Sequence, residues 1–134
     1  LNMTDTPATS SVKQKILLIE DDLFMIELLA NELLRSGFEP FSFKLGKDAV
    51  QKFEEIKPNL ILLDLLLPDQ NGLETLRQIR RLPGGVETKV IVLSNIAEAI
   101  DQEEAKRLNV AEYLVKANFS LPEIIQHIQT VLAA

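Results

Sequence analysis

Short, continuous apolar runs recur along this chain, each parted from the next by a stretch of helical period, and that alternation limits its fold more than any other feature. KILLI (15–19), LILL (60–63) and VIVL (90–93) have no polar alternation, as strands buried on both faces require. Between them, Ile26, Leu29 and Leu33 make one stripe of a helix predicted over 23–36, with Gly37 as its C-terminal cap. Phe38 to Phe43 reads as a second strand, placed at an edge by Pro40. Ala49, Phe53 and Ile56 mark a helix stopped by Pro58, and Leu73, Leu76 and Ile79 mark the next. LPGGVET is a loop leading into a strand at 89–93. The stretch 96–108 has the weakest helical pattern, with Ile100 and Leu108 as its large apolar anchors after Ile96. Ala111 to Val115 is a fifth strand. Leu121, Ile124, Ile125, Ile128, Val131 and Leu132 form the stripe of a fifth helix. Five such βα units predict a single doubly wound α/β domain, a five-stranded parallel sheet with helices on both faces.

The chain has 134 residues, enough for one domain, and its 46% hydrophobic and 25% charged content suits a packed core. No aliphatic run approaches the roughly twenty residues of a membrane span. The opening dozen residues are polar, without the basic and apolar regions of a signal peptide. They are expected to be a disordered tail (1–12) ahead of the folded domain (13–134), with Met3 as the native start and a cytoplasmic location. A net charge of −6 makes direct nucleic-acid binding a poor expectation. The absence of cysteine excludes disulfides and thiolate chemistry. The one histidine, His127, excludes a multi-histidine metal site; it falls on the polar side of the last helix and is read as a solvated surface group.

In open parallel sheets, ligands bind beyond the carboxyl ends of the strands. There the chain places Glu20, Asp21 and Asp22 after the first run, Asp64 after the third, Ser94 after the fourth and Lys116 after the fifth. Gathered carboxylates repel one another unless a cation lies between them, and oxygen donors without histidine or cysteine suit Mg²⁺. With an ammonium and a hydroxyl opposite, such a cluster suits a phosphoryl group, and Asp64 can be its nucleophile, giving an aspartyl-phosphate. Plainer roles compete. Glu20, Asp21 and Asp22 could simply be capping acids ahead of Leu23, with Asp22 as the N-cap itself. Lys116 taken alone could be an exposed strand-end lysine, and Tyr113 could be a half-buried packing residue. Asn71-Gly72 suits a turn. It also looks like part of a calcium loop, but Leu67 and Gln78 stand where the first and last carboxylates would be. Asp64, within Leu62 to Leu66, would be costly to bury without a partner.

LLIEDD (17–22), LILLDLLLPDQNG (60–72), VIVLSN (90–95) and YLVK (113–116), in that order and spacing, resemble the receiver domain of bacterial two-component response regulators. The resemblance implies a flavodoxin-like sheet of order 2-1-3-4-5. It implies Asp64 as acceptor of a phosphoryl group from a sensor histidine kinase or histidine phosphotransfer protein. Asp21 and Asp64 would ligate Mg²⁺ directly, Glu20 through water and Leu66 through its backbone carbonyl. Lys116 and Ser94 would contact the phosphoryl oxygens. Tyr113 would act with Ser94 as a switch, altering the face of helix 4, strand 5 and helix 5 toward a protein partner or a second copy of the chain. Two departures stand out: the lysine is followed by Ala117 rather than the family's usual cis proline, and the serine by Asn95 rather than a small residue. A trans bond is expected before Ala117, and the larger Asn95 side chain is expected to narrow the approach to the site. Such a receiver is not an enzyme in the sense of turnover. An Asp-nucleophile phosphatase or phosphotransferase is the alternative, but Leu66 occupies the place of the second aspartate in DxDx[TV]. A P-loop enzyme lacks its GxxxxGK[ST], and a non-phosphorylated scaffold would have little use for the assembled acids and lysine.

Overall fold

In the computed structural model, which describes residues 12–134, five strands and five helices alternate: β1 Lys15–Ile19, α1 Leu23–Arg35, β2 Glu39–Phe43, α2 Gly46–Ile56, β3 Leu60–Leu63, α3 Gly72–Arg80, β4 Lys89–Ser94, α4 Ala99–Arg107, β5 Glu112–Val115 and α5 Leu121–Ala133. The sheet is wholly parallel, in the order β2-β1-β3-β4-β5, as expected. Apart from Val12, the expected tail lies outside the described residues. Among those residues no helix is long and apolar enough to cross a membrane.

Successive residues of a strand point to opposite faces, so each apolar run feeds two cores. Ile16, Leu18, Leu60, Leu62, Ile91 and Leu93 meet Leu29 and Leu33 of α1 and Ile124 and Ile128 of α5. Leu17, Ile19, Ile61, Leu63, Val90 and Val92 meet Phe53 of α2, Leu76 and Ile79 of α3, and Ala105 of α4. This two-sided burial is why the central runs are continuous. β2 lies at the edge and accommodates Pro40.

The fourth helix departs from expectation. It begins at Ala99, and Ile100 is 74% exposed rather than an anchor; Ala105 is its one buried residue. With so little apolar surface turned inward, α4 is held by polar contacts. Arg77 of α3 donates to Glu104 at 2.7 Å, and Arg80 donates to the carbonyls of Leu108 (3.0 Å) and Asn109 (3.2 Å) just beyond the helix.

Candidate functional site

All five strands run the same way, so the groups that follow them emerge at one edge of the sheet. Two backbone bonds continue the ladder into the site: Glu20 donates to the Phe43 carbonyl (3.0 Å) and Asp64 to that of Ile19 (2.9 Å). Lys116, at the head of a short 3₁₀ turn after β5, reaches back across the edge. Its ammonium donates to Glu20 Oε1 at 2.6 Å and to Asp64 Oδ2 at 3.0 Å. The three side chains are only 13%, 3% and 8% exposed, which rules out the surface-lysine reading of Lys116. Asp21 stands exposed beside them, and carboxylate oxygens of Glu20, Asp21 and Asp64 lie within 4.8 Å of one another. Asp22 is the N-cap of α1, its Oδ1 accepting from Phe24 (2.9 Å) and Met25 (3.3 Å).

Three carboxylates facing one ammonium leave a surplus of negative charge in a poorly solvated place. Burial pushes the Glu20 pKa up, and the Lys116 ammonium and the Asp22 N–H offset that only in part. Burial works against the Lys116 charge, yet Glu20 and Asp64 outweigh it and hold its pKa above the ordinary value. An all-oxygen donor set with excess charge fits a hard divalent cation, so the residues present suit Mg²⁺. Because the Glu20 pKa is raised, the native state holds its proton more tightly than the unfolded chain, and this group's contribution to stability falls as pH rises from about 4.5 through the folded value. A divalent cation such as Mg²⁺ would bind the cluster in its deprotonated form. The upward shift in melting temperature on adding Mg²⁺ should therefore be larger at pH 7.5 than at pH 5, as differential scanning fluorimetry would read.

The loop after Asp64 is tightly shaped. Leu66 donates its N–H to Asp64 Oδ1 (3.4 Å) and forms a single antiparallel bridge with Asn71, while the residue is 62% exposed. Asn71 caps α3 through Leu73 N–H (2.7 Å), as the turn reading expects. Gly72 follows because a Cβ there would lie 2.3 Å from the Asp64 carbonyl oxygen. Sequence reasoning missed Asp69, whose two oxygens accept the N–H groups of Gly46 and Lys47, each at 2.9 Å. It caps α2 from 23 residues away and bolts that helix to the loop after Asp64. An acid after Pro68 in an irregular segment was the sole signal, and it named no partner.

Ser94 ends β4, fully buried, with Oγ accepting from the Ile96 N–H at 3.4 Å. Half-buried Tyr113 donates its hydroxyl to the Ile96 carbonyl at 2.5 Å. Burial, with Asp101, Asp64 and Glu98 nearby, pushes the Tyr113 phenol up to about 12, so it stays a donor at physiological pH. The Lys116–Ala117 bond is trans, and Asn95 is exposed. His127 is not simply solvated. Its Nδ1 lies 2.5 Å from Glu112 Oε1, and Phe119 meets its ring edge-on with centroids 5.1 Å apart. Helical period alone puts His127 on the outer side of α5; β5 and the following loop bring Glu112 and Phe119 over it.

A parallel sheet of this order, with its polar groups gathered where the order reverses beside β1, is the doubly wound arrangement shared by flavodoxin-like proteins. The profile of the response regulator receiver domain matches residues 16–129, and the chain belongs to that family. It is 30% identical over 121 residues to the alkaline phosphatase synthesis transcriptional regulatory protein PhoP of Bacillus subtilis, an alignment covering 90% of this chain and 49% of PhoP. With the chemotaxis protein CheY of Thermotoga maritima it shares 26% identity over 104 residues, 77% of this chain and 85% of CheY. The chain thus spans about half the length of the transcriptional regulators it matches and most of the chemotaxis protein. Among solved structures, the receiver domain of the Pseudomonas aeruginosa sensor histidine kinase PA1611 superposes with a TM-score of 0.82 at 27% identity, covering 92% of this chain and 100% of that one. The chain is a receiver domain of two-component signalling.

Proposed function

We propose that this receiver takes a phosphoryl group onto Asp64 from the phosphohistidine of a sensor histidine kinase or histidine phosphotransfer protein. The observation that carries the reading is the Lys116 ammonium lodged between buried Glu20 and Asp64, with Asp21 at the rim. A carboxylate oxygen of Asp64 attacks phosphorus, and the phosphorus–nitrogen bond breaks with its pair of electrons left on the imidazole. The Lys116 ammonium turns from Asp64 toward a phosphoryl oxygen, and the Ser94 hydroxyl donates to another. Asp21, Asp64, the Leu66 carbonyl and, through water, Glu20 would hold Mg²⁺. When bound, the ion neutralises charge on the phosphoryl oxygens. The PA1611 receiver domain, by comparison, has a magnesium ion coordinated in its active site cleft.

Acceptance of the group would pull Ser94 toward it and disturb the contacts that Ile96 makes with Ser94 and Tyr113. α4, with its single buried residue, is the element least able to resist, so the face of α4, β5 and α5 is the output surface. Its reader is a protein, either a downstream partner or a second copy, rather than nucleic acid or membrane. Residues 13–134 are the acting unit, in the cytoplasm. The chemistry is one transfer and slow hydrolysis rather than turnover, and Leu66 offers no acid or base for a phosphatase.

The test is incubation with phosphoramidate and Mg²⁺ followed by intact mass. The expected result is a stable gain of one phosphoryl group, with the rate falling sharply in Asp21→Ala while the fold persists. Donor consumption without accumulation would point to the phosphatase, and no reaction at all to a scaffold.

A further inference from the structure

The loops carrying Ser94 and Lys116 are joined by one side chain. Asn95 Oδ1 accepts the backbone N–H of Ala117 at 3.2 Å. The β4–β5 ladder ends at the pair Ser94 and Val115, and beyond it the backbones diverge: β4 turns toward α4 while β5 enters the 3₁₀ turn of Lys116–Asn118. The first N–H groups of such a turn have no partner within it. The Asn95 side chain supplies one, carrying the strand pairing a step past the last backbone bond. The second tie is the Tyr113 hydroxyl on the Ile96 carbonyl. Residues 95 and 96 are thereby fastened to the chain on either side of Lys116, at Tyr113 and Ala117.

We infer that Asn95 is a positioning residue for phosphoryl transfer: its bond to Ala117 holds the start of the Lys116 turn, and so the ammonium, in register with Ser94. The inference rests on the proposed acceptance at Asp64 and gives Asn95 a role opposite to obstruction. It also gives a use to the Ala117 N–H, which a proline there would lack. As a screen, Asn95 would slow transfer, and trimming it would speed the reaction. As a tie, trimming it slows transfer, because the ammonium loses its fixed place.

Asn95→Ala removes both bulk and acceptor, Asn95→Leu keeps the bulk and removes the acceptor, and Asn95→Asp keeps an oxygen at the same place. With phosphoramidate and saturating Mg²⁺, the Ala and Leu variants should both be phosphorylated roughly two- to tenfold more slowly than the parent, the range of one hydrogen bond. Amide exchange read at Ala117 should quicken in both variants and return toward the parent's protection in Asn95→Asp. Melting temperatures should barely move, since Asn95 is exposed. An Ala variant as fast as the parent, or faster, overturns the inference, and so does unchanged Ala117 exchange. If the parent itself takes up no phosphoryl group, the reading of Asp64 falls and the positioning role falls with it. A phosphorylated parent matched by its Ala variant sinks the positioning role alone.

Discussion

Asp64→Asn should take up no phosphoryl group from phosphoramidate and yet unfold close to the parent's melting temperature. The amide is no nucleophile, and removal of the attacking group should cost at least about 10³-fold in rate. The fold should tolerate the change because of how charge is shared. Lys116 keeps Glu20 at 2.6 Å, and the asparagine oxygen can still accept from Lys116 or from the Leu66 N–H. One negative charge also leaves a cluster that holds a surplus of them. Intact mass and thermal unfolding with and without Mg²⁺ check both halves, and the Mg²⁺-dependent stabilisation should shrink as a direct carboxylate is lost. A variant that still gained one phosphoryl group would move the acceptor to another residue.

Lys116→Met should do the reverse, harming the fold as well as the reaction. Glu20 and Asp64, buried and close, would face each other without a cation. Breaking a buried pair from one side costs about 3 kcal/mol or more, and transfer should fall about 10²-fold or more with the loss of a charge aimed at the phosphoryl oxygens. The pH dependence distinguishes this cause from poor packing of the methionine. Burial already raises the Glu20 pKa, and without Lys116 it rises further, so acidification protonates Glu20 and relieves the repulsion. The stability gap between parent and variant, measured by urea unfolding, should therefore be wider at pH 7.5 than at pH 5, and Mg²⁺ should narrow it at pH 7.5. A gap independent of both pH and Mg²⁺ would mean that the ammonium's charge is not what the fold needs.

These two residues also mark where reading the chain stopped and folding took over. The sequence alone determined the strands, the stripes of α1, α2, α3 and α5, and the edge at Pro40, since each follows from periodicity or backbone restriction within a few residues. It likewise placed Asp64 and Lys116 at strand ends and made a lone buried carboxylate implausible. The strand order followed from likeness to a family rather than from any pattern in the runs. Only the tertiary structure decided the partners: Lys116 with Glu20, 96 residues away, Asp69 with the start of α2, Asn95 with Ala117, and His127 with Glu112. It also left Ile100 in solvent where the helical pattern expected an anchor. The physical reason is one of range. Apolar period records which way a side chain faces relative to its near neighbours, whereas a hydrogen bond between distant residues depends on how strands and loops converge, and that convergence is set by the packing of the whole sheet.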